Sequence, residues 1–211
     1  MIITREDIDQ GDKIWRINII NSITGIKPGN LIGTKSDAGI SNLAIISSVV
    51  HLGSNPPLIG FIMRPNHEVK RDTYKNIMEN GYFTINHVNN RIIKQAHYTS
   101  AKFDEDISEF DTCELTEEYL NDFSAPFVKE SKIKIGLKLT DTIDIKVNKT
   151  KLIIGEVVLI DIDKSFVSQE GGINLEKVSS IGISGLDSYY DLQFIDQFPY
   201  ARVEETPNFG S

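Results

Sequence analysis

KPGNLIGTKSDAGISNLAIISSVV (residues 27–50) is followed by a break at Pro56-Pro57, the apolar run LIGFIM (58–63) and RDTYKNIMENGYFTINHV (71–88). Short β-branched runs punctuated by Gly, Ser, Asn and Pro predict strand, polar turn, strand, tight break, strand, short helix and strand. The core strands fall at Leu31–Thr34, Leu43–Val50 and Leu58–Met63, runs too short for helices. Asp72 is placed to cap a helix over 73–80 that ends at Gly81, with Tyr82–Val88 returning as a strand. Small hydroxyl and amide residues concentrate where the strands end. Such ends bind small polar ligands through backbone N–H and hydroxyl groups.

Outward from this stretch, Thr4 with an acid three residues on predicts a short opening helix. Trp15–Ile26 is rich in Ile with interleaved Asn and Ser, and Lys27-Pro28-Gly29-Asn30 punctuates it as a turn. Beyond the core strands, 90–98 reads as helical, FDEDISEFD (103–111) as an acidic surface loop, and Thr116–Tyr119 as the start of a helical turn. IKIGLKL (133–139), TIDIKV (142–147) and KLIIGEVVLIDI (151–162) are sustained β segments joined through Asn148-Lys149. Leu175–Val178 reads as one helical turn, and Gly185–Tyr190 as the start of an irregular tail.

The chain has 211 residues, which suits one domain with a sizeable core, here taken as 1–211. Thirty acidic against 22 basic residues give a net charge of -8, which argues against nucleic acid as a partner because phosphate-backbone binding needs clustered Lys and Arg. A single cysteine, Cys113, excludes an intrachain disulfide, a Cys-x-x-Cys pair and a thiolate zinc cage. Any redox chemistry must then come from a bound cofactor. Asp111 and Glu114 beside Cys113 disfavour its thiolate. His51, His67 and His87 share no ligand spacing, so no metal is expected. The N-terminus is charged within five residues and the longest apolar run is interrupted by Ser47, Ser48 and His51, which predicts a cytoplasmic protein with no membrane partner.

The spelling of this chain resembles the flavin reductase-like, FMN-binding split-barrel family. The resemblance is carried by Leu31-Ile32-Gly33-Thr34, the Asp37–Asn42 turn, Ser47-Ser48, Pro56-Pro57, Arg71-Asp72-Thr73 with Asn76-Ile77, and Gly81-Tyr82-Phe83 with Asn86. His97–Ser100 with Glu109-Phe110, and Ala125–Val128, look like its longer members, so the likeness spans roughly residues 14 to 202. It implies a mainly β fold with peripheral helices, an antiparallel Greek-key split β-barrel. It also implies non-covalent FMN, NADH or NADPH as transient donor, a small-molecule electron acceptor, and a homodimer with flavin sites near the subunit interface.

Carried onto this chain, the resemblance implies that Thr34, Lys35 and Ser36 lay backbone groups along the pyrimidine edge of the flavin ring, with Gly33, Asn42, Ser47 and Ser48 also among the cofactor-binding residues. Arg71 and Thr73 at a helix N-terminus are the phosphate candidates, since free N–H groups, a hydroxyl and a bidentate cation converge there. Arg64 is a second cation. His97 and Ser100 are expected to approach the exposed flavin face or the nicotinamide. No catalytic acid, base or nucleophile is required, because the cofactor carries the chemistry.

Two other readings stand beside this one. A non-catalytic FMN electron carrier, or a split barrel that has lost flavin and acts as a binding module, would have the same strands. Residues 29–36, GNLIGTKS, also come close to the phosphate-loop pattern of nucleotidases, but Thr34 replaces its second glycine and DAGIS should turn into a strand rather than a helix. VVLID (157–161) is then a barrel strand.

Overall fold

A computed structural model describes residues 1–65 and 72–210. Helix α1 (Arg5–Gln10) opens with the expected capping box, Thr4 accepting from the Asp7 N–H while the Asp7 carboxylate accepts from Thr4. The Ile-rich stretch after it folds as helix α2 (Lys13–Ser22), capped by the Asp12 carboxylate on the N–H groups of Ile14 and Trp15. Strand β1 (Lys27–Pro28) leads into the hairpin β2 (Asn30–Lys35) and β3 (Ser41–Ile46), then β4 (Val50–Ser54) and β5 (Pro57–Met63). Helix α3 (Asp72–Asn80) ends at Gly81, whose φ of 71° and N–H to Ile77 carbonyl bond make it the left-handed stop. Asp72 lies within the helix rather than capping it from outside.

The next elements are β6 (Tyr82–His87), α4 (Ile93–Tyr98), α5 (Glu109–Thr112), β7 (Glu117–Glu118), β8 (Phe127–Val128), β9 (Ile133–Ile145) and β10 (Thr150–Ile162). After α6 (Leu175–Val178) come β11 (Ile181–Ser184) and β12 (Ser188–Asp191). Seven strands form one sheet in the order β3-β2-β6-β9-β10-β5-β4, antiparallel throughout.

This order forces the sheet to curl. β3 and β4 are its two edges, yet β3 ends at Ile46 and β4 begins at Val50. Four Cα steps reach at most about 15 Å, whereas six flat inter-strand spacings would set the edges about 29 Å apart. The connection spans the gap only if the edges approach each other. Ser48, in the crossing, is tied to β5: its hydroxyl accepts from the Ile62 N–H at 3.1 Å and donates to the Ile62 carbonyl at 3.2 Å. The molecule is an antiparallel split barrel.

Strand alternation divides the core in two. Ile32, Phe61, Phe83, Ile85, Leu137 and Ile153 are fully buried inside the barrel, with Phe61 and Phe83 edge to face at 5.7 Å, and Ile77 of α3 belongs to the same cluster. On the other face Leu31, Leu43, Val88, Ala96, Phe110 and Ile181 form a second core with residues of α4 and α5.

Several local expectations are corrected. The run Leu43–Val50 is not one strand; it breaks after Ile46 because the chain must cross the split there. Residues 133–139 and 142–147 are not separate strands, since β9 runs unbroken through most of both, its register shifts absorbed against β10. Within the acidic loop, Glu109–Thr112 turns helical because Phe110 is pulled into the second core. Thr116–Tyr119 is extended rather than helical: Glu117 and Glu118 pair with Val128 and Phe127, and Glu118 reaches buried Lys134. Gly185, at φ 62°, turns the chain into the β11–β12 hairpin where an irregular tail was expected, and that tail starts only after Asp191.

Candidate functional site

The sheet-facing row of α3 is Thr73, Asn76, Ile77 and Asn80, spaced i, i+3, i+4, i+7, so one helix face presents three polar residues around one apolar residue. Asn42 on β3 donates to Thr34 Oγ1 at 3.1 Å and to Thr73 Oγ1 at 3.0 Å, and Asn76 donates to the same Thr34 oxygen at 3.1 Å. All four residues are buried. Asn80 completes the seam on the Lys35 carbonyl at 2.7 Å. The side chains of Thr34, Asn42 and Thr73 thus dock α3 on the barrel and fix where its N-terminus stands.

The hairpin candidates have other partners. Gly33 lies where a Cβ would come within 2.3 Å of the Pro126 carbonyl and 2.5 Å of Thr84 Oγ1, so the absence of a side chain there admits the 125–127 segment. Lys35 Nζ lies 3.1 Å from the Tyr119 hydroxyl and 4.8 Å above that ring. Ser36 closes the turn, exchanging backbone and side-chain bonds with Ile40. The chain passes from that turn straight into β3, so the phosphate-loop spelling at 29–36 delivers no helix N-terminus.

At the split the arrangement differs. Among the described residues, none accepts a hydrogen bond from the N–H of Ser47, Ser48 or Val49, or from the Ser47 hydroxyl. These groups are only partly buried. The Ser48–Ile62 stitch brings them beside the end of β5, and exposed Arg64 stands two residues past Ile62. A run of unpaired donors next to a cation is an anion- and carbonyl-binding surface. Asn30, opposite Ile46 in the ladder, adds a buried Oδ1 without a partner among the described residues. Arg71 lies outside the described residues.

The outer edge of β3 is covered. Its Leu43 N–H donates to Glu109 Oε2 at 2.8 Å and its Ile45 N–H to Thr99 Oγ1 at 3.0 Å. Burial raises the Glu109 carboxyl above the usual range, the bonds from Leu43 and its own backbone oppose that, and the nearby Asp72 charge adds to it. His97, at the end of α4, sets Nδ1 2.8 Å from the Tyr189 hydroxyl, with Tyr98 and Tyr189 edge-on to its ring. Ser100 donates to the His97 carbonyl at 2.7 Å. Burial raises the Cys113 thiol first and Glu109 second, rather than the neighbouring acids expected from sequence. From sequence, Asn76, Thr99 and Glu109 stood only among the marks of the resemblance, and none of Asn30, Asn76, Glu109, Thr99 and Tyr189 was given a place at the site. The helical spacing of Asn76 with Thr73 could have revealed it.

The Flavin reductase like domain family matches residues 26–172, the segment that builds the barrel and its split. The chain belongs to the flavin reductase-like family. A split barrel domain protein of Shewanella frigidimarina NCIMB 400, a candidate flavin reductase, is 47% identical with a TM-score of 0.92, covering 95% of this chain and 100% of that one. Nitrilotriacetate monooxygenase component B of Bacillus cereus shares the fold at TM-score 0.82 and 21% identity, over 94% of this chain and 98% of that one. The flavoredoxin of Desulfovibrio vulgaris (Miyazaki F) does so at 0.73 and 24%, over 84% and 92%. In this flavin reductase-like chain, β11, β12 and the tail lie beyond the matched segment.

Proposed function

We propose that this protein is a flavin reductase-type oxidoreductase that binds FMN non-covalently at the barrel split and passes reducing equivalents from NADH or NADPH to flavin or a downstream acceptor. The observation that carries the reading is the run of N–H donors at 47–49, without an acceptor among the described residues and beside Arg64, in a chain whose family is flavin reductase-like. Those donors and the orphaned Asn30 oxygen suit a ring edge that alternates carbonyls with N–H. Arg64, Arg71 and the first-turn N–H groups of α3 would hold the phosphate. FMN, when bound, supplies a ring that accepts a hydride and releases electrons singly or in pairs.

The chain's own contribution is binding and placement. The Thr34–Asn42–Thr73–Asn76 seam holds the α3 N-terminus against β3, so the phosphate end and the ring end of the site stay in fixed register. His97 and Ser100 shape the approach from the α4 side. A homodimer with the sites near its interface completes the reading. Purified protein should be yellow with a flavin spectrum, and that spectrum should bleach when NADH or NADPH is added without oxygen. Colourless protein that takes up no FMN would remove the proposal; bound flavin that neither nucleotide bleaches would reduce it to an electron carrier.

A further inference from the structure

Among the described residues, two stretches hold out rows of large apolar side chains. α2 is ten residues long with no buried side chain, and Ile14, Ile17, Ile20 and Ile23 stand exposed along it. A helix of that length is marginal in water without an apolar partner. The second part is the tail from 192 to 209, almost entirely exposed. It holds out Phe194, Phe198, Tyr200 and Phe209, at 58, 79, 85 and 86% exposure. Both exceed what a monomer leaves in water without purpose.

The two are rooted on one side of the molecule. A Cβ on Gly182 would touch both Ile26, just past α2, and Leu192, where the tail begins, and a Cβ on Gly185 would touch Ser22 of α2. A two-fold axis through that side brings each tail over the other copy's helix, with every contact made twice. Four aromatics per arm at about 150 Å² each give about 1,200 Å² for two arms, enough for a specific dimer. α1 and α2 enclose a groove of about 550 Å³ lined by Arg5, Ile8, Arg16, Ile17 and Ile20 among others. Its apolar floor suits the aromatic arm; Arg5 there pairs with Asp9 and Glu205 with Arg202, which leaves Arg16 to face Asp196 and Glu204 of the arm.

We infer that residues 192–209 of one copy lie across the α1–α2 groove of a second copy, and reciprocally, as exchanged arms. This deepens the dimer part of the proposed function and is independent of the flavin part. Sedimentation of the full chain should give twice 23.7 kDa, and a chain ending at Asp191, with its circular dichroism otherwise retained, should sediment at the mass of one shortened copy. Ile17→Asp should behave like the truncation. Because Cys113 is buried, Ile20→Cys protein mixed with Phe198→Cys protein under mild oxidation should form a covalent heterodimer. Several results would overturn the exchange: a truncated chain that still sediments as a dimer, a full chain that is a monomer, no cross-link between the cysteine pair, or capture of the monomer by phosphatidylglycerol vesicles. FMN absorbance in each sample reads the flavin proposal separately.

Discussion

His87 shows how one buried ring couples the fold to pH. Burial lowers its pKa from 6.5 to about 4, while its Nδ1 lies 3.3 Å from Ser180 Oγ. Below 6.5 the unfolded chain takes up a proton that the native ring refuses until about 4. The ring's contribution is therefore complete above 6.5 and declines as pH falls through that window. Part of the residue still reaches solvent, so the loss is at most ~3 kcal/mol. Urea melts at pH 7.5 and 4.5 should show wild type losing more stability than His87→Gln; equal losses would place the acid sensitivity elsewhere. Thr34 is a second such position, its one oxygen accepting from two amide groups. Thr34→Val keeps the shape and strands both donors, which should cost about 1–3 kcal/mol, against near zero for an exposed Thr. A melting temperature unchanged by that substitution would mean that the seam does not hold α3.

At the scale of elements, Lys134 explains why the chain from 116 to 128 is strand. Its ammonium lies 2.5 Å from Glu118 and 3.0 Å from Asp161, tying the short β7–β8 pair to the barrel wall. Burial pulls its pKa down, but the two carboxylates outweigh that and raise it. Lys134→Met should cost about 2 kcal/mol and increase proteolysis between 116 and 126, whereas a purely local turn would leave cleavage unchanged. Such long-range pairs are what the sequence could not disclose. Thr116–Tyr119 spells a helix start, and only a lysine sixteen residues away decides otherwise. By contrast the strands at 31–34 and 58–63, the helix ending at Gly81 and the β segments from 133 to 162 were legible because alternation, turn residues and caps are local signals. For the candidate site, what each named side chain touches was not legible in the sequence. Gly33, Thr34, Asn42 and Thr73 are named by the motif, yet only the fold reveals that their side-chain positions face protein. Ser47 and Ser48 differ from each other, one bonded to Ile62 and one without a side-chain partner among the described residues, and no spacing rule separates them.

For the molecule as a whole, the decisive fact is that a seven-stranded sheet bends until its first and last strands are joined by three residues. The crossing leaves the N–H groups of 47–49 outside the β2–β3 and β4–β5 ladders, with no acceptor among the described residues. The split and the candidate site therefore have the same cause. If FMN occupies it, these amides should exchange fast in the flavin-free protein and slow by at least tenfold on saturation, together with the first turn of α3, while the barrel strands β9 and β10 change little. Hydrogen exchange read by NMR resolves the positions. Arg64→Ala and Arg71→Ala should each weaken FMN by roughly tenfold to a hundredfold through loss of a charge-assisted contact, with that exchange pattern retained at saturating flavin. Protection that appeared along α4 at His97 and Ser100 instead, with 47–49 unchanged and flavin bound, would move the ring to the outer edge of β3 and refute the split as the binding site.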